Sequence, residues 1–144
     1  MVETLTRLIV VPVIKDETGR VLLCKMPEDR GVFPGQWGLA GGGVEAGERI
    51  HDALRREVME ELGVSITEYR PLFFKDGLHE KTFPNGERRP IYMVFLIFEC
   101  SVAGGETIRL SAEFCEHAWV DRKDLATYDL NSATRETFAT LGLI

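Results

Sequence analysis

The sequence predicts an α/β domain in which helices are layered on a β-sheet. Three observations predict it. β-Branched and aromatic runs recur along the chain, segments with helical periodicity interrupt them, and no internal repeat or Pro/Gly/Ser-rich linker divides the 144 residues. One domain spanning residues 1–144 is therefore expected.

The elements follow in order. Residues 7–14, RLIVVPVI, and residues 20–26, RVLLCKM, are strand-like runs separated by the turn sequence KDETG, which reads as a hairpin. Residues 27–48 are rich in Gly and Pro and are expected to be mostly loop, with a short strand at Trp37–Leu39. From about Glu48 to Leu62 the pattern turns helical, because Leu54, Val58 and Leu62 form one apolar stripe at spacing four. Gly63 is a fitting stop. ITEYRPLFFKD and RRPIYMVFLIFEC are strands that pair across the Pro84-Asn85-Gly86 turn, and the second, apolar on both faces, is expected at the centre of the sheet. EHAWV is a further short strand, and NSATRETFATLGL a closing helix capped by Asn131.

Composition excludes some function classes. A formal charge of −6 opposes salt-driven adhesion to nucleic acid or to an anionic membrane, while leaving room for a small anionic ligand. The longest apolar run, Ile91 to Phe98, is far short of a spanning helix, and the start at Glu3 lacks a basic flank and signal core, so a cytoplasmic protein is expected. Cys24, Cys100 and Cys115 form no CxxC pair and read as small hydrophobes.

The predicted helix carries an unusual charge pattern in REVMEELGV, residues 56–64. On a helical wheel Glu57, Glu60 and Glu61 fall within an arc of about 100°. Glu60 has Arg56 four residues earlier, but Glu57 and Glu61 have only each other at that spacing, a like-charge pair costing about 0.2–0.5 kcal/mol. A solvated acidic face ordinarily interleaves signs. This one does not, and the Gly-rich stretch GLAGGGVEAGE precedes it, which lets backbone approach a ligand. Clustered oxygen donors without His or Cys select a hard divalent cation, Mg²⁺ or Mn²⁺, which commonly bridges carboxylates to phosphates. His51 lies off this face and reads as a surface or packing residue.

Gly42, Glu48 and Arg56-Glu57-Val58-Met59-Glu60-Glu61-Leu62-Gly63-Val64 match every fixed position of the Nudix box, Gly-x5-Glu-x7-Arg-Glu-U-x-Glu-Glu-x-Gly-U with U aliphatic. The chain thus resembles the Nudix hydrolases. The resemblance implies an α/β/α sandwich around a mixed sheet, with Mg²⁺ (or Mn²⁺ as substitute) held by Glu57, Glu60, Glu61 and the carbonyl of Gly41. It assigns Gly42, Glu48 and Arg56 to support of the box. A further family acid in a late loop corresponds to Glu113, six residues before Trp119, or to Glu116.

Beyond the box, LLCKMPEDRGVFPGQWGLAGGGVEAGERIHDALRRE, IYMVFLIFEC and YDLNSATR are similar to bacterial nucleoside triphosphatases of that family. This similarity implies hydrolysis of (deoxy)nucleoside triphosphates, pyrimidine dNTPs (dUTP, dTTP, dCTP) favoured, to monophosphate and pyrophosphate, with Glu57 or Glu113 as base and Glu61 among the catalytic acids. Substrate contacts are sought at Phe33 (stacking or loop packing), Arg30 and Lys25 (phosphates), Asn131 (base edge or helix cap) and Tyr92 (base contact or sheet residue). Small nucleotides are the expected partners, with no nucleic acid or membrane, on a monomer or homodimer. Two alternatives stand beside this: a Nudix hydrolase of a nucleotide sugar or dinucleotide, and a non-catalytic nucleotide sensor.

Overall fold

The computed structural model describes residues 4–144, so the acidic start at Glu3 lies outside the described residues. A seven-stranded mixed sheet organises the chain. β1 (Leu5–Lys15) runs parallel to β6 (Arg88–Val102) from Leu5↔Ile91 to Lys15↔Ser101, and β6 pairs antiparallel with β5 (Ile66–Thr82). The expected central strand is therefore central, between β1 and β5. β5 runs beyond the ITEYRPLFFKD segment to Thr82, because its pairing with β6 continues to Thr82↔Arg88 and outweighs the polar composition of that end.

Strict alternation along β1 and β6 builds two cores. Val10, Ile14, Phe98 and Cys100 point to one face, where they meet Leu54, Val58 and Leu62 of α1 (Ile50–Leu62). Val11, Val13, Phe95 and Ile97 point to the other, against Leu125 and Phe138. Phe138 belongs to α2 (Ser132–Thr140), Leu125 to the 3-10 turn Arg122–Thr127. Period-two side-chain direction is what allows one strand to feed both layers. The result is a helix layer on each face of a mixed sheet, as expected.

The sheet also opens at one place. β1 and β2 (Val21–Lys25) pair only at Lys15↔Val21. Beyond that point β1 takes β4 (Gly42–Gly43) as partner, while β2 takes β3 (Trp37–Gly38) and β7 (Glu116–Val120). The Gly-rich segment thus supplies the short strand expected at Trp37 and a second one, Gly42–Gly43, where loop is expected.

α1 begins at Ile50 rather than near Glu48. Gly47 adopts a positive φ of 81°, and the Glu48 carboxylate is committed to side-chain bonds described below, so the helix starts two residues later. It ends as expected at Gly63, which is left-handed (φ 68°) and returns its N–H to the Met59 carbonyl. Asn131 caps α2 by accepting from the Thr134 N–H at 2.8 Å. Cys24 and Cys100 are buried as small hydrophobes, their thiols each pushed up to about 12 by burial. Cys115 departs from that expectation: it is exposed in the loop before β7, its Sγ 3.6 Å from the Lys25 carbonyl. Among the described residues no helix is long and apolar enough to cross a membrane.

Candidate active site

The opening between β1 and β2 admits β4 of the Gly-rich segment, which lies against α1. Gly42 sits where any side chain would overlap the Glu57 carboxylate, and a side chain at Gly41 would press on the Val10 carbonyl. Backbone excludes a Cβ at Gly41, whereas at Gly42 a Cβ would displace the Glu57 carboxylate from its place beside the loop. The Gly41 N–H points to Glu61 Oε2 at 3.4 Å.

Arg56 is the hub of the acidic face. Its Nε and Nη2 donate to the two oxygens of Glu48 at 2.7 and 2.8 Å, a bidentate fork, and Nη2 also reaches the Gly43 carbonyl at 3.0 Å. Its Nη1 donates to Glu57 at 2.8 Å and Glu60 at 3.2 Å. Glu48 in turn accepts from the Glu45 N–H at 3.1 Å, and the Arg56 guanidinium holds its carboxyl well down, to about 2. Box loop and helix are thereby stapled together. One sequence expectation is corrected here: Glu57 does have a base, because Arg56 reaches its immediate neighbour as well as the residue one turn on. The i,i+4 rule missed this contact, since a long guanidinium can bend back along the helix.

Glu61 is the exception. It is 3% exposed, and its Oε1 has no hydrogen-bond partner. Burial, together with the neighbouring carboxyls of Glu57 and Glu113, pushes its carboxyl well above the ordinary range. Glu113 reaches this neighbourhood because its loop is tied to the end of α1: the Arg109 N–H donates to the Leu62 carbonyl at 2.8 Å and the Ser111 N–H to the Glu61 carbonyl at 2.9 Å. Glu116 instead faces Lys25 at 3.7 Å across the β2–β7 pair and is 60% exposed.

Among the described residues no three acids converge as a finished metal cage, Arg56 holding Glu57 and Glu60 to itself. The donor set nevertheless fits a hard cation: its side-chain donors Glu57, Glu60 and Glu61 all offer oxygen, one buried oxygen is orphaned, and the backbone at Gly41 and Gly42 is bare of side chains.

A cleft adjoins these acids. Its outer part, about 930 Å³ with its open mouth, is bordered by Gly42, Glu57, Glu113, Arg7, Arg30 and Lys81. Its inner part, about 740 Å³ on the same basis, runs between the sheet and α2. Ile9, Met26, Met93 and Glu113 border both, so the two parts adjoin.

The NUDIX domain family model matches residues 5–141, nearly the whole chain. The chain belongs to the Nudix family. It is a Nudix hydrolase, 51% identical over 140 residues to Nucleoside triphosphatase NudI of Escherichia coli O139:H28, with 96% of this chain and 98% of that protein covered. Among solved structures it is similar to the MutT NUDIX hydrolase of Burkholderia pseudomallei (28% identity, TM-score 0.71, 93% and 96% of the two chains covered). The MutT protein of Methanosarcina mazei Go1 is similar to the same degree (25%, TM-score 0.71, 97% and 95% covered).

In this Nudix domain the remaining candidates separate clearly. Phe33 borders the inner cleft and packs edge-on against His79 at 5.2 Å, so it serves the loop and the cleft together. Asn131 borders the same space while capping α2. Arg30 borders the outer cleft and donates to the Ala112 carbonyl at 2.6 Å, bracing the loop that carries Glu113. Lys25 is engaged by Glu116, and the Tyr92 hydroxyl donates to Asp76, so Tyr92 is a sheet residue. His51 lies beside Asp52 at 3.4 Å, outside the cleft, as expected. Arg7, Lys81 and Lys75, which also border the cleft, were not singled out by sequence. Arg7 comes beside the box glycines only through the pairing of Ile9 with Gly43, a contact that no local sequence signal announces.

Proposed function

We propose that the protein hydrolyses nucleoside triphosphates to the monophosphate and pyrophosphate in the presence of Mg²⁺, with pyrimidine deoxynucleotides favoured, as a small-molecule enzyme of the cytoplasm. The observation that carries this reading is the 51% identity to a nucleoside triphosphatase along the whole chain, with every acid of the box present.

The cleft's layout supports it. Its outer end combines the glutamates with Arg7, Arg30 and Lys81, a mixture suited to polyphosphate oxygens and their counter-ion together. Its inner end is walled by apolar sheet residues and suits a base and sugar. A divalent cation, when bound, neutralises phosphate oxygens and lowers the pKa of the attacking water. Glu57, Glu60, Glu61 and the Gly41 carbonyl would hold it. The chain's own residues do the rest. Arg56 fixes the directions of Glu57 and Glu60, as supporting hydrogen bonds do at metal sites. Glu57 or Glu113 would take the proton of the attacking water; that Glu113 stands outside the Arg56 fan and borders both parts of the cleft favours Glu113.

The test is a panel of canonical deoxy- and ribonucleoside triphosphates, nucleotide sugars and dinucleotides, assayed with and without Mg²⁺ by phosphate release after added pyrophosphatase. Mg²⁺-dependent release from dUTP, dTTP or dCTP is expected. A dominant preference for a nucleotide sugar would replace this reading, and binding of nucleotides without turnover would make the domain a sensor.

A further inference from the structure

The inner end of the cleft contains a buried cation that the box does not require. Lys75 lies on β5 opposite Phe95 of β6, and its side chain is only 12% exposed. The ammonium stands 5.6 Å from the centre of the Phe95 ring and donates to the Ala133 carbonyl at 2.5 Å, with Glu136 at 3.7 Å. Burial lowers its pKa, as expected for an ammonium withdrawn from water. The Ala133 carbonyl and Glu136 offset the cost of that burial while leaving the ammonium a further proton to donate.

The other polar groups there are largely occupied. Thr134 accepts from the Leu39 N–H at 3.2 Å, Thr137 donates to the Ala133 carbonyl at 2.9 Å, and the Asn131 oxygen is spent on the cap. Apart from Glu113, which stands where the inner part adjoins the outer, what faces the cleft is therefore donor capacity: a proton of Lys75 not directed at Ala133 or Glu136, and the amide nitrogen of Asn131. Donors in an apolar slot ask for acceptors. The triphosphate is accommodated by the cations at the outer end, so the acceptor at the inner end belongs to the base.

We propose that Lys75 is a specificity-determining residue, donating a charge-assisted hydrogen bond to a ring carbonyl oxygen of the nucleobase and so selecting carbonyl-bearing bases over adenine. Adenine carries no carbonyl and presents an amino donor on its ring edge, so the remaining Lys75 proton would meet a donor instead of the oxygen acceptor that carbonyl-bearing bases offer, a mismatch by which polar sites discriminate. This rests on the nucleotide reading above for the identity of the ligand. The competing role for Lys75 is a pin between β5 and the start of α2, which would affect all ligands alike.

The experiment is a titration of the wild-type protein and Lys75→Met with dUMP and with dAMP, followed by NMR, alongside hydrolysis of dUTP and dATP. Wild type is expected to prefer dUMP by at least about tenfold, and K75M to lose about 10- to 100-fold toward dUMP with the dUMP/dAMP ratio falling near one. Lys75→Gln, which keeps a neutral donor, is expected to retain part of the preference. In the wild type, which needs no variant to fold, the Lys75 side-chain signal should shift with dUMP and not with dAMP. Equal affinities in the wild type, an unshifted Lys75 signal, or equal losses for both nucleotides in K75M overturn the proposal. Absent hydrolysis with the dUMP preference intact would instead remove the triphosphatase reading and leave Lys75 standing.

Discussion

Two glutamates one turn apart on α1, Glu57 and Glu61, share a residue type and a helix face but live in opposite electrostatic conditions. Glu57 is held by the same guanidinium that grips Glu48 and Glu60, so its charge is satisfied within the protein. Glu61, one turn on and buried, has one oxygen near the Gly41 N–H and the other with no partner. The difference teaches that the box has two parts with separate tasks. One is an ion-pair network around Arg56 that shapes the loop, and the other is a buried carboxyl with one oxygen unpaired, for which the proposed function supplies a cation.

Breaking the second part should have the largest effect. Glu61→Gln is expected to reduce Mg²⁺-dependent hydrolysis by more than the 10–100-fold typical of supporting residues. The same variant should melt at a temperature no lower than the wild type without cation, because it removes an acid that the apo protein does not satisfy. A stable E61Q with near-normal turnover would sink the distinction. Next in size, Glu113→Gln should cost about 10²-fold in kcat as loss of a general base, whereas Glu116→Gln should change kcat by less than about twofold. Equal effects would mean that the Lys25 contact does not describe Glu116 in solution. Arg56→Lys acts on the first part. Lysine cannot reproduce the fork to Glu48 while reaching Glu57 and Glu60, so activity should fall about tenfold. Unlike E61Q, it should also lower apo stability, on the order of 2 kcal/mol by denaturant titration.

How much of this was legible beforehand depended on where each contact lies along the chain. The strands were readable because Val10/Val11, Ile97/Phe98 and their neighbours alternate between two cores, a pattern visible within a few residues. The acids were readable because the box is a local sequence of fixed spacing. The fan of Arg56 was only half readable: its reach to Glu60 follows helical spacing, but its bend to Glu57 and its fork to Glu48 depend on how the glycine loop folds over the helix. Lys75 was not readable at all. A lysine in a polar edge strand is ordinary, and only the register Lys75↔Phe95 and the approach of α2 turn it inward. Likewise Glu113 was separable from Glu116 only once the Ser111 N–H was seen anchored to the Glu61 carbonyl.

The smallest expected effect, and the one that separates the two parts by sign, is in the pH dependence of apo stability. Glu48 is depressed from its ordinary 4.5 to about 2 by Arg56, so it binds fewer protons folded than unfolded between those values. Its contribution is complete above pH 4.5 and is lost as pH falls toward 2. Glu61 is raised above 4.5 by burial and by its acidic neighbours, so the folded protein holds a proton that the unfolded chain has released. Its contribution is complete below pH 4.5 and is eroded as pH rises beyond it. Thermal melts of the metal-free protein should therefore lose stability on the acid side through Glu48 and on the neutral-to-alkaline side through Glu61. The alkaline loss should vanish in E61Q, and the acid loss should persist there. Adding Mg²⁺ to the wild type at pH 8 should release a proton, measurable from the buffer dependence of the binding enthalpy, since a carboxyl must ionise to ligate. If E61Q and the wild type melt with the same slope above neutral pH, Glu61 is already charged in the apo protein, and the contrast with Glu57 fails.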